Sequence, residues 1–376
     1  MILIDLFDTD VVNTLVPVFS LKPDLEYMVV DKRQRNIRLF QRIVKTIQKR
    51  IGTKVIIVEV DAERVDDIDR KLRESIDLKQ DKQVYLDLAG GRELLTACGF
   101  RYAMERSVTP IYMDFKKKRL YSVLDNSEVG AIVSLTIEDY LEAIGAKRLT
   151  NLHSTPNPKN FERIVEMAEI LFAHEAAWDK LCKRIASSTK HFAAPMQFRK
   201  DLKFSEEERK LLEHFLRLGF LKENEQAYLH VNEQFKSYLT TYGSWLEMYV
   251  YIKASALFPE AAMSVVIDWI ADDNDDAHDN EIDVLFMKKS VPVFVSCKMT
   301  RPTADDVNEV LTLARRFGGR RAKAIIATTF DVESVQEQST GIYKRMRKLN
   351  CGYIETKDFR KKPDREVFNK ALQMSD

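Results

Sequence analysis

Residues 280–299, NEIDVLFMKKSVPVFVSCKM, constrain this chain more than any other stretch. Apolar side chains recur at alternate positions, first Ile282, Val284 and Phe286, then Val291, Val293, Val295 and Cys297. Period-two alternation sends successive side chains to opposite faces, so each run reads as a strand. Lys288-Lys289-Ser290 breaks the pattern between them and predicts a hairpin. A turn centred on Lys289 and Ser290 sets Asp283 beside Ser296 and Glu281 beside Lys298, and a slip of one residue undoes this. Carboxylates with an ammonium alongside suit a hard cation and a phosphate. Charges on a hairpin also commonly do no more than face water.

The flanking segments add to this reading. Gly243-Ser244-Trp245-Leu246-Glu247 opens an apolar-periodic helix continued by Met248, Tyr249 and Ile252, with Glu247 in its first turn. Downstream, 305–317 is an amphipathic helix ending at Gly318-Gly319, and 324–328 is a buried strand. Helix, hairpin, helix and strand in this order resembles the PD-(D/E)XK restriction-endonuclease-like core. The resemblance places Asp283 at the family's Asp, Ser296-Cys297-Lys298 at its (D/E)XK, and Glu247 at its first-helix Glu. Ser296 departs from the family, which usually has a carboxylate there; either Glu281 on the facing strand supplies the charge or metal binds weakly. The implied chemistry is hydrolysis with Mg²⁺ or Mn²⁺ held by Asp283, the Cys297 backbone carbonyl, and Glu247 or Glu281 through water. Lys298 would orient the attacking water or stabilise charge on the phosphate.

At 376 residues the chain has room for two or three domains. No run approaches the roughly 20 apolar residues of a membrane helix. MILIDLFDTD reads as an acid-bearing strand, not a signal peptide. Cys98, Cys182, Cys297 and Cys351 show no paired spacing, so a reducing cytoplasm is expected. Net charge is +1, yet 315–365 holds fourteen Lys/Arg against six Asp/Glu, while 268–283 is acid-rich. A basic surface beside an acidic pocket suits a nucleic-acid backbone approaching a metal, although either run alone is commonly a solvated face or loop.

The first 150 residues alternate strands (2–7, 26–30, 54–60, 83–88, 110–115) with helices (11–20, 34–51, 63–76, 92–104). Short continuous apolar runs such as VIIVEV suit parallel strands covered on both faces, hence a doubly wound α/β domain with ligands at the carboxyl ends of its strands. Two strand-to-helix junctions are candidates: Phe7-Asp8-Thr9-Asp10 with Asn13, and Asp87-Leu88-Ala89-Gly90-Gly91-Arg92. Paired glycines let backbone N–H groups approach an anion at a helix start, and equally permit a plain tight turn. Neither GxGxxG nor GxxxxGK[ST] is present.

In this position Gly90-Gly91 resembles the turn of the CRISPR-associated Rossmann-fold (CARF) domain, with Ala89 where that family often has Thr. The resemblance implies a cyclic oligoadenylate ligand, with Gly90, Gly91 and Arg92 facing phosphate or ribose and Asp8, Thr9 and Asn13 hydrogen-bonding adenine or ribose edges. Lys116 to Arg119 reads as a solvated turn leading into a strand over 120–124. A linker follows over 151–158, then a long helix over 160–186 and a capping-box helix from Ser205. A strand pair (220–221, 228–231) and a helix over 232–242 make this segment, 151–242, a helical, winged-helix-like connector, with the last domain over 243–376.

The order CARF-like domain, connector, PD-(D/E)XK-like domain resembles the ancillary nucleases of type III CRISPR defence. That resemblance implies a cytoplasmic homodimer in which cyclic tetra-adenylate, bound between two CARF domains, activates metal-dependent cutting or nicking of DNA and also RNA. Two other classes compete. A ligand-controlled DNA-binding regulator would use the connector for recognition, with Ser296 marking an inactive nuclease fold. A ring nuclease would degrade the cyclic messenger itself and needs a general base near Gly90 that the sequence does not display.

Overall fold

The computed structural model describes the chain except for residues 79–81, 150–154, 190–196, 201, 231–232, 270–279, 333–340 and 376. The acid-rich loop over 272–276 and the first half of the 151–158 linker lie outside the described residues.

The first lobe is a seven-stranded sheet of order β3-β2-β1-β4-β5-β6-β7. Its strands are β1 (Ile2–Leu6), β2 (Leu25–Asp31), β3 (Lys54–Val60), β4 (Val84–Asp87), β5 (Thr109–Asp114), β6 (Arg119–Ser122) and β7 (Glu128–Ala131). The first five are parallel, and the last two add antiparallel at the β5 edge. Helices α1 (Val11–Leu21) and α2 (Arg38–Ile51) pack on one face, α3 (Val65–Ser75) and α4 (Glu93–Arg106) on the other. Burial on both faces explains the unbroken apolar strands. The strand expected over 120–124 stops at Ser122, and Asn126, at φ 58, turns the chain back into a seventh strand that alternation did not reveal. β1 and β4 lie side by side where the winding reverses, so the loops following them flank the crevice that such sheets offer to ligands.

Beneath that crevice sit three acids that no periodicity argument marks. Asp5, Glu26 and Asp87 are 0% exposed on adjacent strands, Asp5 opposite Asp87. No hydrogen-bond donor among the described residues reaches either oxygen of Asp5 or Glu26, or Asp87 Oδ2. Burial first, then mutual repulsion, pushes Asp5 well above the carboxylate range and Glu26 up to about 8; burial alone pushes Asp87 up to about 7. At neutral pH the cluster holds protons that the unfolded chain has released.

Helix α5 (Ile137–Ile144), opened by a Thr136–Asp139 capping box, leads to β8 (Ala146–Leu149), which leaves the first sheet and pairs antiparallel at the edge of the second. The intervening segment contains α6 (Phe161–Ala173), α7 (Glu175–Thr189), β9 (Gln197–Arg199), α8 (Glu206–Arg217), β10 (Leu221–Glu223), β11 (Ala227–His230) and α9 (Glu233–Thr240). The single helix expected over 160–186 is broken at His174, whose φ −126 and ψ 39 are not helical. The break redirects α7 so that Trp178 packs against Phe215 and donates its indole N–H to the Tyr242 carbonyl at 3.2 Å. β9 makes the expected strand pair a three-stranded sheet of order β10-β11-β9.

The second sheet, of order β16-β15-β14-β13-β12-β8, follows α10 (Ser244–Ser255). It is built from β12 (Ala261–Trp269), β13 (Asn280–Lys288), β14 (Val291–Lys298), β15 (Lys323–Thr328) and β16 (Cys351–Glu355). Helix α11 (Ala304–Gly318) and α12 (Gly341–Lys348) pack on one face; α10, α13 (Asp358–Lys361) and α14 (Asp364–Met374) pack on the other. Lys289 and Ser290 both have positive φ, 52 and 67, as a two-residue type I′ hairpin turn requires. The ladder runs Val284 opposite Val295, which is the register the alternation predicts.

That turn also touches the first lobe. Leu135 N–H donates to the buried Ser290 Oγ at 2.9 Å, and Tyr140 Oη–H donates to the Phe317 carbonyl at 2.9 Å. One apolar cluster runs from Leu15 and Phe40 through Tyr140 to Leu285, Phe294 and Val310, so the lobes share a core.

Because the folded acid cluster binds protons more tightly than the unfolded chain, stability falls as pH rises from about 4.5 to about 8. Glu26→Gln is expected to flatten that slope in urea titrations across the window; an unchanged slope refutes the assignment.

Candidate functional site

The hairpin brings four expected residues to one cleft. Cys297 N–H donates to Asp283 Oδ2 at 2.6 Å, and Ser296 Oγ–H reaches the same oxygen at 3.4 Å. Glu281, Asp283, Ser296 and Lys298 line a cleft of about 50 Å³ that α11 closes with Glu309, Val310 and Leu313. Cys297 thus meets Asp283 through its amide.

Glu247 arrives from the first turn of α10, and its carboxylate accepts a hydrogen bond from Ser264 Oγ at 3.3 Å. Ser264 stands opposite Asp283, between the Met263–Val284 and Val265–Ile282 pairs, and its φ of 45 is left-handed. A serine held there stores strain of a kind that clusters at functional positions. Burial, then the charges of Asp283 and Glu281, pushes Glu247 up to about 8. Burial also raises Asp283, against the pull of the Cys297 N–H and the Lys298 charge. The Cys297 thiol, raised well above its usual value by burial and by the Asp283 and Glu247 charges, stays protonated. Three carboxyl groups therefore feel one another, and a cation is the species that relieves their repulsion. As they stand, no three Asp, Glu, His or Cys side chains among the described residues are arranged to ligate one ion.

Sequence reasoning missed the partner of the lysine. Lys298 Nζ lies 3.1 Å from Asp306 Oδ1. Burial opposes the Lys298 charge, but the Asp306 hydrogen bond and charge outweigh it and raise its pKa. Asp306 also accepts from the Thr303 N–H at 2.7 Å, so the residue that holds the lysine completes the α11 capping box. Read from the sequence, this helix starts at Asp305 without its Thr303 cap, and nothing in it points back at Lys298.

In the first lobe, Asp8 Oδ2 accepts from Asn13 Nδ2 at 3.1 Å, its Oδ1 accepts from Asp10 N–H at 3.2 Å, and Thr9 Oγ1 lies 3.4 Å from that oxygen. Asp10 caps α1. The second junction packs directly beneath this loop: a Cβ on Gly90 would sit 2.0 Å from the Leu6 carbonyl, and Gly91 has φ +82. Close approach and a left-handed turn are thus sufficient reason for both glycines. Arg92 is exposed at the start of α4, its guanidinium 3.8 Å from Glu63.

Arg321, from the short 3₁₀ turn after α11, joins this loop to the second lobe. It donates to Asn13 Oδ1 at 2.8 Å, lies 3.4 Å from Asp10 Oδ2, and covers the Phe115 ring at 5.2 Å. In the sequence it was one of many basic residues after α11.

Against solved structures, the whole chain aligns with protein VC1899 from Vibrio cholerae at TM-score 0.79 and 15% identity, covering 98% of that chain. It also aligns over its whole length with Can2 from Sulfobacillus thermosulfidooxidans in complex with cyclic tetra-adenylate, at TM-score 0.69 and 16% identity, covering 99% of that chain. A type III CRISPR defence DNA nuclease activated by cyclic oligoadenylate matches 87% of this chain and 45% of its own, at TM-score 0.55 and 18% identity. No protein-family model and no curated protein matches. What the likeness establishes is the fold: a Rossmann-like lobe, a connecting segment and a second α/β lobe, arranged as in these structures.

The paired Lys298 and Asp306 are both less than one-third exposed. A double-mutant cycle with Lys298→Met and Asp306→Asn is expected to give a coupling of about 1 kcal/mol in urea unfolding; strictly additive losses refute the pairing.

Proposed function

We propose that this chain is a cyclic-oligoadenylate-activated, metal-dependent endonuclease of type III CRISPR defence, cutting or nicking DNA and also RNA as a cytoplasmic homodimer. The observation that carries this is the meeting of Glu281, Asp283 and Lys298 at one cleft, with Glu247 close enough to feel both acids, in a fold shared end to end with a protein solved with cyclic tetra-adenylate. The donor set fits Mg²⁺ or Mn²⁺: hard carboxylate oxygens, mutually repelling, in a cleft the size of one or two waters. Asp283 would hold the ion, with Glu247 or Glu281 reaching it through water, and a bound divalent cation supplies an acidified water and charge neutralisation at phosphate.

The chain's own residues set the rest. The Cys297 N–H fixes one Asp283 oxygen, leaving the other to face the cleft. Asp306 keeps Lys298 charged and directed, so its ammonium is available to the phosphate oxygens as charge develops. Ser296 contributes a hydroxyl and no charge, which makes Glu281 the natural substitute for the missing acid.

Cyclic tetra-adenylate is assigned to the crevice above β1 and β4, with Asp8, Thr9, Asn13, Gly90, Gly91 and Arg92 around it. A ligand that draws on Asn13 or Asp10 must compete with Arg321, which follows the helix whose first turn holds Lys298. This gives activation a physical route, with α11 as the shared element. Dimerisation is supported by the outer face of α4, which follows the glycine turn and leaves Leu94, Phe100 and Met104 exposed.

Supercoiled plasmid is expected to be nicked only when Mn²⁺ and cyclic tetra-adenylate are both present, and Lys298→Ala should cost at least about 100-fold. Intact plasmid under every condition, together with sequence-specific DNA binding, points instead to the regulator. Arg321→Ala is expected to lower the ratio of nicking rates with and without the cyclic ligand by about fivefold or more; an unchanged ratio removes Arg321 from the route.

A further inference from the structure

Two open grooves on the second lobe lie outside the cleft. One, about 470 Å³, is walled by Leu311, Ala314 and Arg315 of α11 with Lys323, Asn350 and Ser375. The other, also about 470 Å³, is walled by Tyr343, Arg347, Asn350, Tyr353, Lys370 and Gln373. Asn350 belongs to both, so the two form one track. Arg315, Lys323, Arg347 and Lys370 line it, and no carboxylate appears among the described lining residues.

The aromatic content of the track is equally distinctive. The Tyr343 and Tyr353 rings meet edge to face with centroids 5.5 Å apart. Arg347 lies over the Tyr343 ring at 6.0 Å and Lys370 over the Tyr353 ring at 5.1 Å. Cations spread over α11, β15, α12 and α14 do not converge on one point, as a small anion would require. They are strung along a surface, as a polyanion requires. Helix α11 walls both features: Glu309, Val310 and Leu313 face the cleft, while Leu311, Ala314 and Arg315 face the track.

We propose that this track binds the phosphate backbone of a nucleic-acid strand one helix away from the cleft, with the tyrosine rings backing Arg347 and Lys370 from beneath. The site deepens the nuclease reading and rests on it only for which polyanion is bound. Arg315 and Arg347 are exposed, so replacing them leaves the core intact.

The test is fluorescence anisotropy of the full-length chain with EDTA present, using duplex DNA, single-stranded DNA and RNA of one length over a range of salt. Arg315→Ala with Arg347→Ala is expected to weaken binding of the preferred strand about tenfold and to lower the salt slope by about two. Lys116→Ala with Lys118→Ala removes the same charge from the exposed turn of the first lobe and should change neither by more than about twofold. No loss in the first pair, or an equal loss in both pairs, overturns the proposal. Because no metal is present, salt-dependent binding that is lost in the first pair upholds the track even if plasmid is never nicked, which separates its failure from that of the nuclease reading.

Discussion

Two neighbouring left-handed residues, Lys289 and Ser290, fix the geometry on which the second lobe depends. A type I′ turn matches the right-handed twist of its strands, and its two-residue length leaves no freedom in how β13 meets β14. Asp283 therefore lands against the Cys297 N–H, and Ser296 and Lys298 come to the same side as Glu281. Displacement by one residue would drive these charges into the apolar layer where Phe286 and Val293 now pack. The turn is also held from outside, because Ser290 receives the Leu135 N–H. Register in one lobe and attachment of the other thus share a single buried hydroxyl.

The two lobes handle buried acids differently. Asp5, Glu26 and Asp87 lie within a sheet covered on both faces, with no hydrogen-bond donor to their buried oxygens among the described residues save at Asp87 Oδ1, and burial shifts each toward its protonated form. In the cleft, Lys298 and a backbone N–H oppose the same desolvation, and α11 forms the facing wall. Acids of the first kind make stability depend on pH. Acids of the second kind are poised to change state when a cation or a phosphate arrives.

Helix α11 links otherwise separate features. Its first turn holds Asp306 against Lys298, its flanks wall the cleft and the basic track, and the chain just beyond it carries Arg321 to Asn13 and Asp10. A packed helix moves as a body, so a shift at either end is felt at the other. These contacts range from eight positions, Lys298 to Asp306, to 308, Arg321 to Asn13.

Alternation in the hairpin, apolar runs in the first lobe and the capping box at Ser205 were all legible from the sequence, because each follows from backbone periodicity or from a hydrogen bond spanning three residues. The sequence by itself therefore determined the doubly wound sheet, the hairpin register and the placing of Asp283 beside Ser296. It did not show the break at His174, the transfer of β8 to the second sheet, Ser264 opposite Asp283, or the pairings of Asp306 and Arg321. Those were decided by tertiary packing, within the second lobe for Ser264 and Asp306 and between the lobes for β8 and Arg321, since burial and charge pairing between separate segments depend on where the whole chain goes.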